Sequence, residues 1–234
     1  MKLSAIQKFT LLDFPGRVAC IAFTPGCDLR CGFCHNPEFV LPERICQLAA
    51  SFIPVANFLR FLRERQGLLE GVVVTGGEPT IWSDLPDFLA QIQALGFAVK
   101  LDTNGNNPAM LKRCVAAGLI DYIAMDVKTS IGQYPSLVGP SIRPERIRES
   151  IAFIRESGVA YEFRSTLIRE HHTESVLQAM QELLQGAERV FVQAFRSEQT
   201  LDPAFSTASS FSQSELETIA ARFGTPDRPA GIRI

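Results

Sequence analysis

The sequence has little of several features that would assign a protein to a class at once. Its 234 residues contain no apolar run near the roughly 18 residues of a membrane helix, and residues 1–9 lack the apolar stretch of an export signal. Basic and acidic residues nearly balance, 23 against 25, so no general attraction to nucleic acid or anionic lipid is expected. We therefore predict a soluble cytoplasmic protein without nucleic-acid or membrane partners.

Cysteine is scarce outside one short loop, and this excludes a disulfide framework. Three of the six cysteines fall within residues 27–34, while Cys20, Cys46 and Cys114 stand apart. A chain with 46% hydrophobic residues can fill its core without disulfides. We interpret the isolated cysteines as ordinary buried thiols and the clustered ones as metal-binding or catalytic.

From residue 18 onward, short apolar runs alternate with longer segments of helical period. Strands are predicted over residues 18–24, 71–75, 98–103, 122–127, 161–167 and 190–194. Helices are predicted over residues 51–65, 85–95, 108–117, 144–156, 173–184 and 212–222. Plausible N-caps are Ser51, Asp84 and Thr173, and glycines end several helices.

Repeated βα units predict an α/β protein with a parallel sheet, and six units suggest a partial (β/α)6 barrel of the TIM type. No linker-like composition interrupts the chain before about residue 197, so a single domain over residues 1–234 is expected. Its core would span about 16–195, with an extension over 196–234. Within that extension, the polar stretch 197–212 is expected to be mobile or to cover the barrel bottom.

Chemistry-bearing residues collect where the predicted strands end. In such barrels the loops after the strands form the active-site edge. The cysteine loop follows the first strand, and the next three strands lead into Gly76-Gly77-Glu78-Pro79, Asp102-Thr103-Asn104-Gly105 and Asp126-Val127-Lys128. One edge of the predicted barrel thus receives most of the unusual residues.

The cysteine loop has the spacing C-x3-C-x2-C, formed by Cys27, Cys31 and Cys34. Three thiolates can each bind one iron of a cubane and leave the fourth iron open. A structural zinc site would need a fourth ligand, and His35 directly follows Cys34, which is an awkward geometry. A dithiol pair of Cys31 and Cys34 would leave Cys27 unexplained.

Two strings around this loop resemble a known family. The segment Cys27-Asp28-Leu29-Arg30-Cys31-Gly32-Phe33-Cys34 is similar to the signature of radical S-adenosylmethionine (SAM) enzymes. The flanking strings Asp13-Phe14-Pro15-Gly16, Thr24-Pro25-Gly26 and His35-Asn36-Pro37 resemble more narrowly the glycyl-radical-enzyme activases that serve anaerobic ribonucleoside-triphosphate reductase. The resemblance covers about residues 9–195.

The resemblance implies a [4Fe-4S] cluster on the three cysteines and SAM chelated to its open iron. It implies that Glu78 and its neighbouring backbone receive the methionyl ammonium of SAM, and that Asp102, Thr103 and Asp126 hold a monovalent cation. The cofactor-binding residues implied in this way are Phe33, Gly76, Gly77, Glu78, Asp102, Thr103, Asn104 and Asp126.

Three further residues are predicted to contact the cofactor because of their places on strands. Lys128 shares a face with Asp126 and suits a carboxylate, although an ordinary exposed lysine is the alternative. Arg164 lies among apolar residues and must find a partner or face the open edge. Gln193 is placed to contact the adenosine. By contrast, His171-His172 is interpreted as part of a solvated loop.

The resemblance implies an oxidoreductase that reductively cleaves SAM to methionine and a 5′-deoxyadenosyl radical, which takes a hydrogen from a glycine of a partner enzyme. The partner would be anaerobic ribonucleotide reductase, and a flavodoxin- or ferredoxin-type protein would donate the electron. One alternative keeps this chemistry for a small molecule such as a deazaguanine precursor. Another is a cluster-bearing sensor or electron carrier, which the open iron disfavours.

Overall fold

The computed structural model describes residues 1–140, 142–198, 200–224 and 230–233. Its strands are β1 (Lys2–Leu3), β2 (Ala5–Thr10), β3 (Ala19–Thr24), β4 (Ile53–Pro54), β5 (Gly71–Gly76), β6 (Ala98–Thr103), β7 (Tyr122–Asp126), β8 (Ala160–Leu167), β9 (Val190–Ala194) and β10 (Gly231–Arg233). Its helices are α1 (Pro42–Leu48), α2 (Val55–Arg63), α3 (Leu85–Ala94), α4 (Pro108–Ala116), α5 (Tyr134–Val138), α6 (Pro144–Glu156), α7 (Glu174–Leu183) and α8 (Gln213–Phe223).

The predicted α/β alternation is confirmed, and the six predicted strands match β3 and β5–β9 to within a residue at each end. The predicted N-cap at Ser51 is wrong, because α2 begins at Val55 and the preceding Ile53–Pro54 pairs with Lys2–Leu3. The structure also adds β1, β2, β4, β10, α1 and α5, which were not predicted.

Contacts divide the chain into two compact units. The first comprises Met1–Asp28, Pro37–Thr103 and Ala109–Ile123, and the second comprises Leu29–Asn36, Asn104–Pro108 and Ala124–Ile234. The boundary passes through the cysteine loop, so Cys27 belongs to the first unit and Cys31 and Cys34 belong to the second.

The sheet of the first unit has the strand order β2-β3-β5-β6. β3, β5 and β6 run parallel, while β2 pairs antiparallel with β3 at the edge. The register sets Ile21 beside Val73 and Val73 beside Lys100, so an apolar layer of this sheet includes one buried lysine. Because the strands are parallel, the residues that follow them lie at one edge of the sheet.

The second unit contains β8, β9 and β10 and the part of β7 from Ala124 onward, and these strands follow one another in the sheet. β8 and β9 are parallel, and β10 adds a further parallel strand with Arg233 opposite Gln193. Helices α7 and α8 pack on this sheet through a buried apolar cluster of Leu167, Val176, Leu177, Met180, Val192, Leu216, Ile219 and Ala220. The hydroxyl of Ser212 caps α8, where Glu215 completes a capping box.

Three of the five glycines that were predicted to end helices do so. Gly96, Gly118 and Gly158 follow the ends of α3, α4 and α6 with a positive φ of 67–87°, a conformation in which the missing Cβ removes the steric penalty. Gly67 and Gly186 also have a positive φ, but α2 ends earlier at Arg63 and α7 at Leu183, so the prediction that they end these helices is wrong. None of the helices in the described ranges has the length and apolar character needed to cross a membrane.

Candidate active site

The cysteine loop begins where β3 ends. Gly26 has φ 87° and its amide donates to the Phe39 carbonyl at 2.7 Å, which turns the chain into the loop. In the second unit, the Cys34 amide donates to the Cys31 carbonyl at 3.0 Å, so the C-x2-C segment forms a tight turn. Cys31 is buried and Cys34 is partly exposed.

The thiol chemistry of this loop fits an iron–sulfur cluster, because the three cysteines offer three soft sulfur donors. Burial raises the pKa of Cys31 to about 11, whereas the positive charge of Lys128 acts against this rise. A metal that binds Cys31 must therefore displace its proton. Within the described ranges, no three His, Cys, Asp or Glu side chains surround a position for a single metal ion, and cubane ligands bind separate irons.

A C-terminal segment lies against the cysteine loop; we call residues 195–198 and 200–207 the cover segment. The Asp202 amide donates to the Gly32 carbonyl at 2.9 Å, and the Phe205 ring lies 6.2 Å from that of Phe33. His35 Nε2 is 2.8 Å from the Arg196 carbonyl oxygen. The expectation that this stretch covers the barrel bottom is therefore wrong, since it contacts the loop at the active-site edge.

Gly76 and Gly77 pack against the backbone that leads into the cysteine loop. A Cβ on Gly77 would lie 1.9 Å from the Gly26 carbonyl oxygen, and a Cβ on Gly76 would lie 2.3 Å from Thr24 backbone atoms. The amide of Glu78 donates to the same Gly26 carbonyl at 2.7 Å. The two glycines are thus required by a close approach of backbone to backbone at the end of β3 and β5.

The carboxylate of Glu78 is buried and receives several hydrogen bonds. Its Oε1 accepts from the Thr80 amide at 3.1 Å, the Thr80 hydroxyl at 2.6 Å and the Thr103 hydroxyl at 2.8 Å. The predicted residues Glu78 and Thr103 are thereby brought together within the first unit.

Asp102 has a partner that sequence analysis missed. Lys100 precedes it by two residues on β6, so both side chains point to the same face of the sheet. The Lys100 Nζ lies 2.5 Å from Asp102 Oδ1, and the Lys100 side chain is fully buried. The signal was available in the sequence, because a lysine between Val99 and Leu101 in a predicted strand must find a counter-charge.

In the second unit, Asp126 stands between two cations. Its Oδ1 accepts from Arg164 Nε at 2.9 Å, and its Oδ2 lies 3.4 Å from Lys128 Nζ. Burial alone would raise the pKa of Asp126, but Arg164 and Lys128 outweigh it and hold this pKa below its usual range. The requirement that Arg164 find a partner is met by Asp126.

Lys128 is held at the edge of the cysteine loop. Its side chain is 16% exposed and its Nζ lies 5.8 Å from the centre of the Phe33 ring, so the exposed-lysine alternative is wrong. Burial by itself would lower the pKa of Lys128, but the negative charge of Asp126 acts against this and the pKa is raised. The ammonium therefore stays charged beside two of the predicted cluster ligands.

The backbone of Lys128 is fixed by two buried side chains. Its amide donates to the Tyr134 hydroxyl at 3.0 Å, and its carbonyl lies 2.9 Å from His172 Nε2. His172 Nδ1 lies 3.0 Å from both the amide nitrogen and the carbonyl oxygen of Ile168, so both ring nitrogens have backbone partners. The prediction of a solvated histidine pair is wrong for His172, which is 1% exposed, whereas His171 is exposed.

The remaining predicted residues occupy defined places. Asn104 is buried and its Oδ1 accepts the Asn106 amide at 2.8 Å, while Gln193 lies partly exposed on β9. Cys20 and Cys114 are buried as expected, but Cys46 is exposed on α1, so its interpretation as a buried thiol is wrong. Burial raises the pKa of Cys20 to about 12 and that of Cys114 to about 11, which makes both thiols unreactive.

The fold and these residues together define a class of α/β enzyme. In this class, the first parallel strand leads into a three-cysteine loop, and the next strands lead into a glycine-rich loop and an acidic loop. The family description "Radical SAM superfamily" matches residues 21–183 of the chain. The protein belongs to the radical SAM superfamily, and membership implies a [4Fe-4S] cluster and SAM.

Three similar proteins represent two activities. A Methanocaldococcus jannaschii protein, provisionally assigned as a glycyl-radical enzyme activating enzyme, is 26% identical over 93% of this chain and 89% of its own length. The pyruvate formate-lyase-activating enzyme of Clostridium pasteurianum is 31% identical over 54% of this chain and 52% of its own. The 7-carboxy-7-deazaguanine synthase of Thermococcus kodakarensis is 25% identical over 72% of this chain and 70% of its own.

The fold is similar to that of solved radical SAM structures. Streptococcus suis SuiB bound to its precursor peptide SuiA matches 92% of this chain with a TM-score of 0.64 and 16% identity. This chain spans 48% of the SuiB chain. The likeness supports the predicted fold class, an α/β protein of partial (β/α)6 TIM-like barrel type.

Proposed function

We propose that this protein is a glycyl-radical enzyme activase. The observation that carries the proposal is the likeness to the Methanocaldococcus jannaschii protein, which extends over 93% of this chain. The likeness to pyruvate formate-lyase-activating enzyme supports the same activity. We further propose anaerobic ribonucleoside-triphosphate reductase as the partner and a flavodoxin- or ferredoxin-type protein as the electron donor.

In this proposal Cys27, Cys31 and Cys34 hold the [4Fe-4S] cluster, which, with SAM bound, supplies the one-electron chemistry. Lys128 places a positive charge beside the Cys31 and Cys34 thiols, which offsets the negative charge of thiolate ligands. Phe33, which lies between Cys31 and Cys34 in the sequence, is buried, and the Lys128 ammonium lies over the face of its ring.

The residues proposed to bind SAM are described within each unit separately. In the first, Gly76 and Gly77 hold the end of β5 against the start of the cysteine loop, and Glu78 is oriented by Thr80 and Thr103. In the second, the polar residues proposed to face the cofactor are Asn104, Asp126, Lys128, Arg164 and Gln193.

The test is transfer of deuterium from glycine. Anaerobically reconstituted and reduced protein is mixed with SAM and with an anaerobic ribonucleotide reductase that carries α-deuterated glycine. We expect the glycine α-carbon–deuterium bond to break, deuterium to appear in 5′-deoxyadenosine by mass spectrometry, and a glycyl radical to appear by electron paramagnetic resonance. A partner with its radical glycine replaced by alanine is the control and should give neither signal.

A second candidate function is supported by the likeness to 7-carboxy-7-deazaguanine synthase, which covers 72% of this chain. In that case the substrate would be a small heterocycle and no glycine would lose its hydrogen. Consumption of a deazaguanine precursor, together with no deuterium transfer from any glycyl-radical enzyme, would favour this function over the activase.

A further inference from the structure

Asp102, Thr103 and Asp126, the three residues expected to hold a monovalent cation, already have partners. A cation site needs oxygen atoms whose negative charge is not balanced by the protein itself. In the described structure, each carboxylate among them forms an ion pair with a basic side chain. The negative charges of Asp102 and Asp126 are therefore balanced by side chains of the protein itself.

The ion pair of Lys100 and Asp102 in the first unit has a shorter distance than the ion pairs of Asp126. Lys100 Nζ lies 2.5 Å from Asp102 Oδ1, with the Lys100 side chain fully buried and that of Asp102 only 13% exposed. Lys100 lies beside Val73 in the sheet, and its Nζ is 6.0 Å from the centre of the Tyr122 ring. A buried ammonium in such surroundings requires a counter-charge, because its hydration is lost.

The hydroxyl of Thr103 already forms a hydrogen bond within the protein. Its hydroxyl proton is donated to Glu78 Oε1 at 2.8 Å, which orients the hydroxyl toward the loop after β5. In the second unit, both oxygens of Asp126 lie beside cations, Oδ1 beside Arg164 and Oδ2 beside Lys128. An additional cation at either carboxylate would therefore meet an ammonium or guanidinium of the same sign.

The donor set does not fit a monovalent cation. We infer that the Lys100 ammonium is a built-in replacement for that cation, so that this protein needs no added monovalent cation at Asp102. The consequence for SAM binding depends on the proposed function, whereas the consequence for the stability of the chain does not.

The first test measures thermal unfolding of the chain without SAM, in potassium chloride and in tetramethylammonium chloride at equal ionic strength. Wild type should unfold at the same temperature in both salts. Lys100→Met leaves Asp102 without its ammonium, so potassium should raise its unfolding temperature by at least about 3 °C over tetramethylammonium. Lys112→Met, on the exposed side of α4, is the matched control and should behave as wild type.

A second variant covers the case in which Lys100→Met fails to fold. The double variant Lys100→Met/Asp102→Asn removes both charges and should fold without a difference between the two salts. A potassium-specific stabilisation of wild type, or a folded Lys100→Met with no response to potassium, would overturn the inference.

The second test measures SAM affinity of reconstituted wild-type protein by equilibrium dialysis in the same two salts. The affinities for SAM in the two salts are expected to agree within about twofold. A SAM affinity about tenfold or more higher in potassium would contradict the inference that the Lys100 ammonium replaces the cation. If no 5′-deoxyadenosine forms in either salt, the proposed function fails, while the unfolding test still decides the role of Lys100.

Discussion

The hydroxyl of Thr103 donates a 2.8 Å hydrogen bond to Oε1 of Glu78, which joins the residues that follow β6 to those that follow β5. The two residues are 25 positions apart in the sequence and both are buried. From the sequence, each of these residues is expected to contact the cofactor or a cation. Their contact shows that each also orients the other.

This hydrogen bond can be removed without a large change of volume. Thr103→Val should lower the free energy of unfolding by about 1–2 kcal/mol, because Glu78 Oε1 loses one of its donors in a buried position. Thr103→Ser keeps the hydroxyl and should stay closer to wild type. Urea unfolding measures both variants, and equal stability of Thr103→Val and wild type would show that the bond contributes nothing.

The close approach of Gly77 to Gly26 gives a second prediction. Gly77→Ala would set a Cβ 1.9 Å from the Gly26 carbonyl oxygen, so the start of the cysteine loop must move. We expect a loss of about 3 kcal/mol in the free energy of unfolding and a lower iron content after reconstitution. Gly132→Ala is the control, since nothing lies within 4 Å of its added Cβ. If Gly77→Ala kept the iron content of wild type, the close approach of Gly77 to Gly26 would not be needed for the cysteine loop to bind its cluster.

The fold was predictable to the extent that each element carried its own signal. Apolar β-branched runs marked the parallel strands, and glycines such as Gly96 and Gly158 marked helix ends through their positive φ. β2 was not predicted because it is an edge strand held by pairing with β3, and β10 has only three residues that depend on β9. Their stability comes from tertiary contacts rather than from local preference.

The candidate site was predictable only where the order of the strands placed its residues. The order of strands collects residues at one edge, so Glu78 and Thr103 could be grouped from the sequence alone. The contact between Gly32 and Phe205 could not, because it depends on the path of the C-terminal segment after β9. The ion pair of Lys100 was not predicted, although a lysine inside an apolar strand indicates a buried charge that needs a partner.

The cover segment gives a third prediction. Phe205 packs on Gly32 and Phe33, between Cys31 and Cys34, so Phe205→Ala should loosen the turn that holds two cluster ligands. We expect faster amide hydrogen exchange at Cys34 and faster loss of iron in air, with a stability loss of about 1–2 kcal/mol for this partly exposed ring. Phe9→Ala, at an exposed ring on β2, is the control. Identical exchange at Cys34 in wild type and Phe205→Ala would rule out this role.

The cluster ligands give a fourth prediction. Wild-type protein reconstituted without oxygen should bind about four irons per chain, and Cys27→Ala, Cys31→Ala and Cys34→Ala should each lose the stable cluster. Cys46→Ala should keep it, because Cys46 is exposed on α1. Iron analysis and the cluster's absorption spectrum measure the result. Equal iron in the Cys46→Ala and Cys31→Ala proteins would refute the assigned ligands.

The last prediction concerns pH and His172. Burial lowers the pKa of His172, although its hydrogen bonds to Lys128 and Ile168 carbonyls act in the other direction. In the unfolded chain its pKa returns to about 6.5, so below that pH the unfolded state takes up a proton that the folded state does not. Stability is therefore complete above about pH 6.5 and is lost as the pH falls toward the folded-state pKa.

His172→Gln should flatten this fall in the free energy of unfolding between about pH 7.5 and 5.5, as measured by urea unfolding. His171→Gln is the matched control, because His171 is exposed and its removal should preserve the wild-type slope. The comparison of the two variants separates His172 from other groups that titrate in this range, since both lose one histidine. A wild-type slope in His172→Gln would show that this buried imidazole is not the source of the acid sensitivity, and the contact with the Lys128 carbonyl would then stabilise the fold independently of pH.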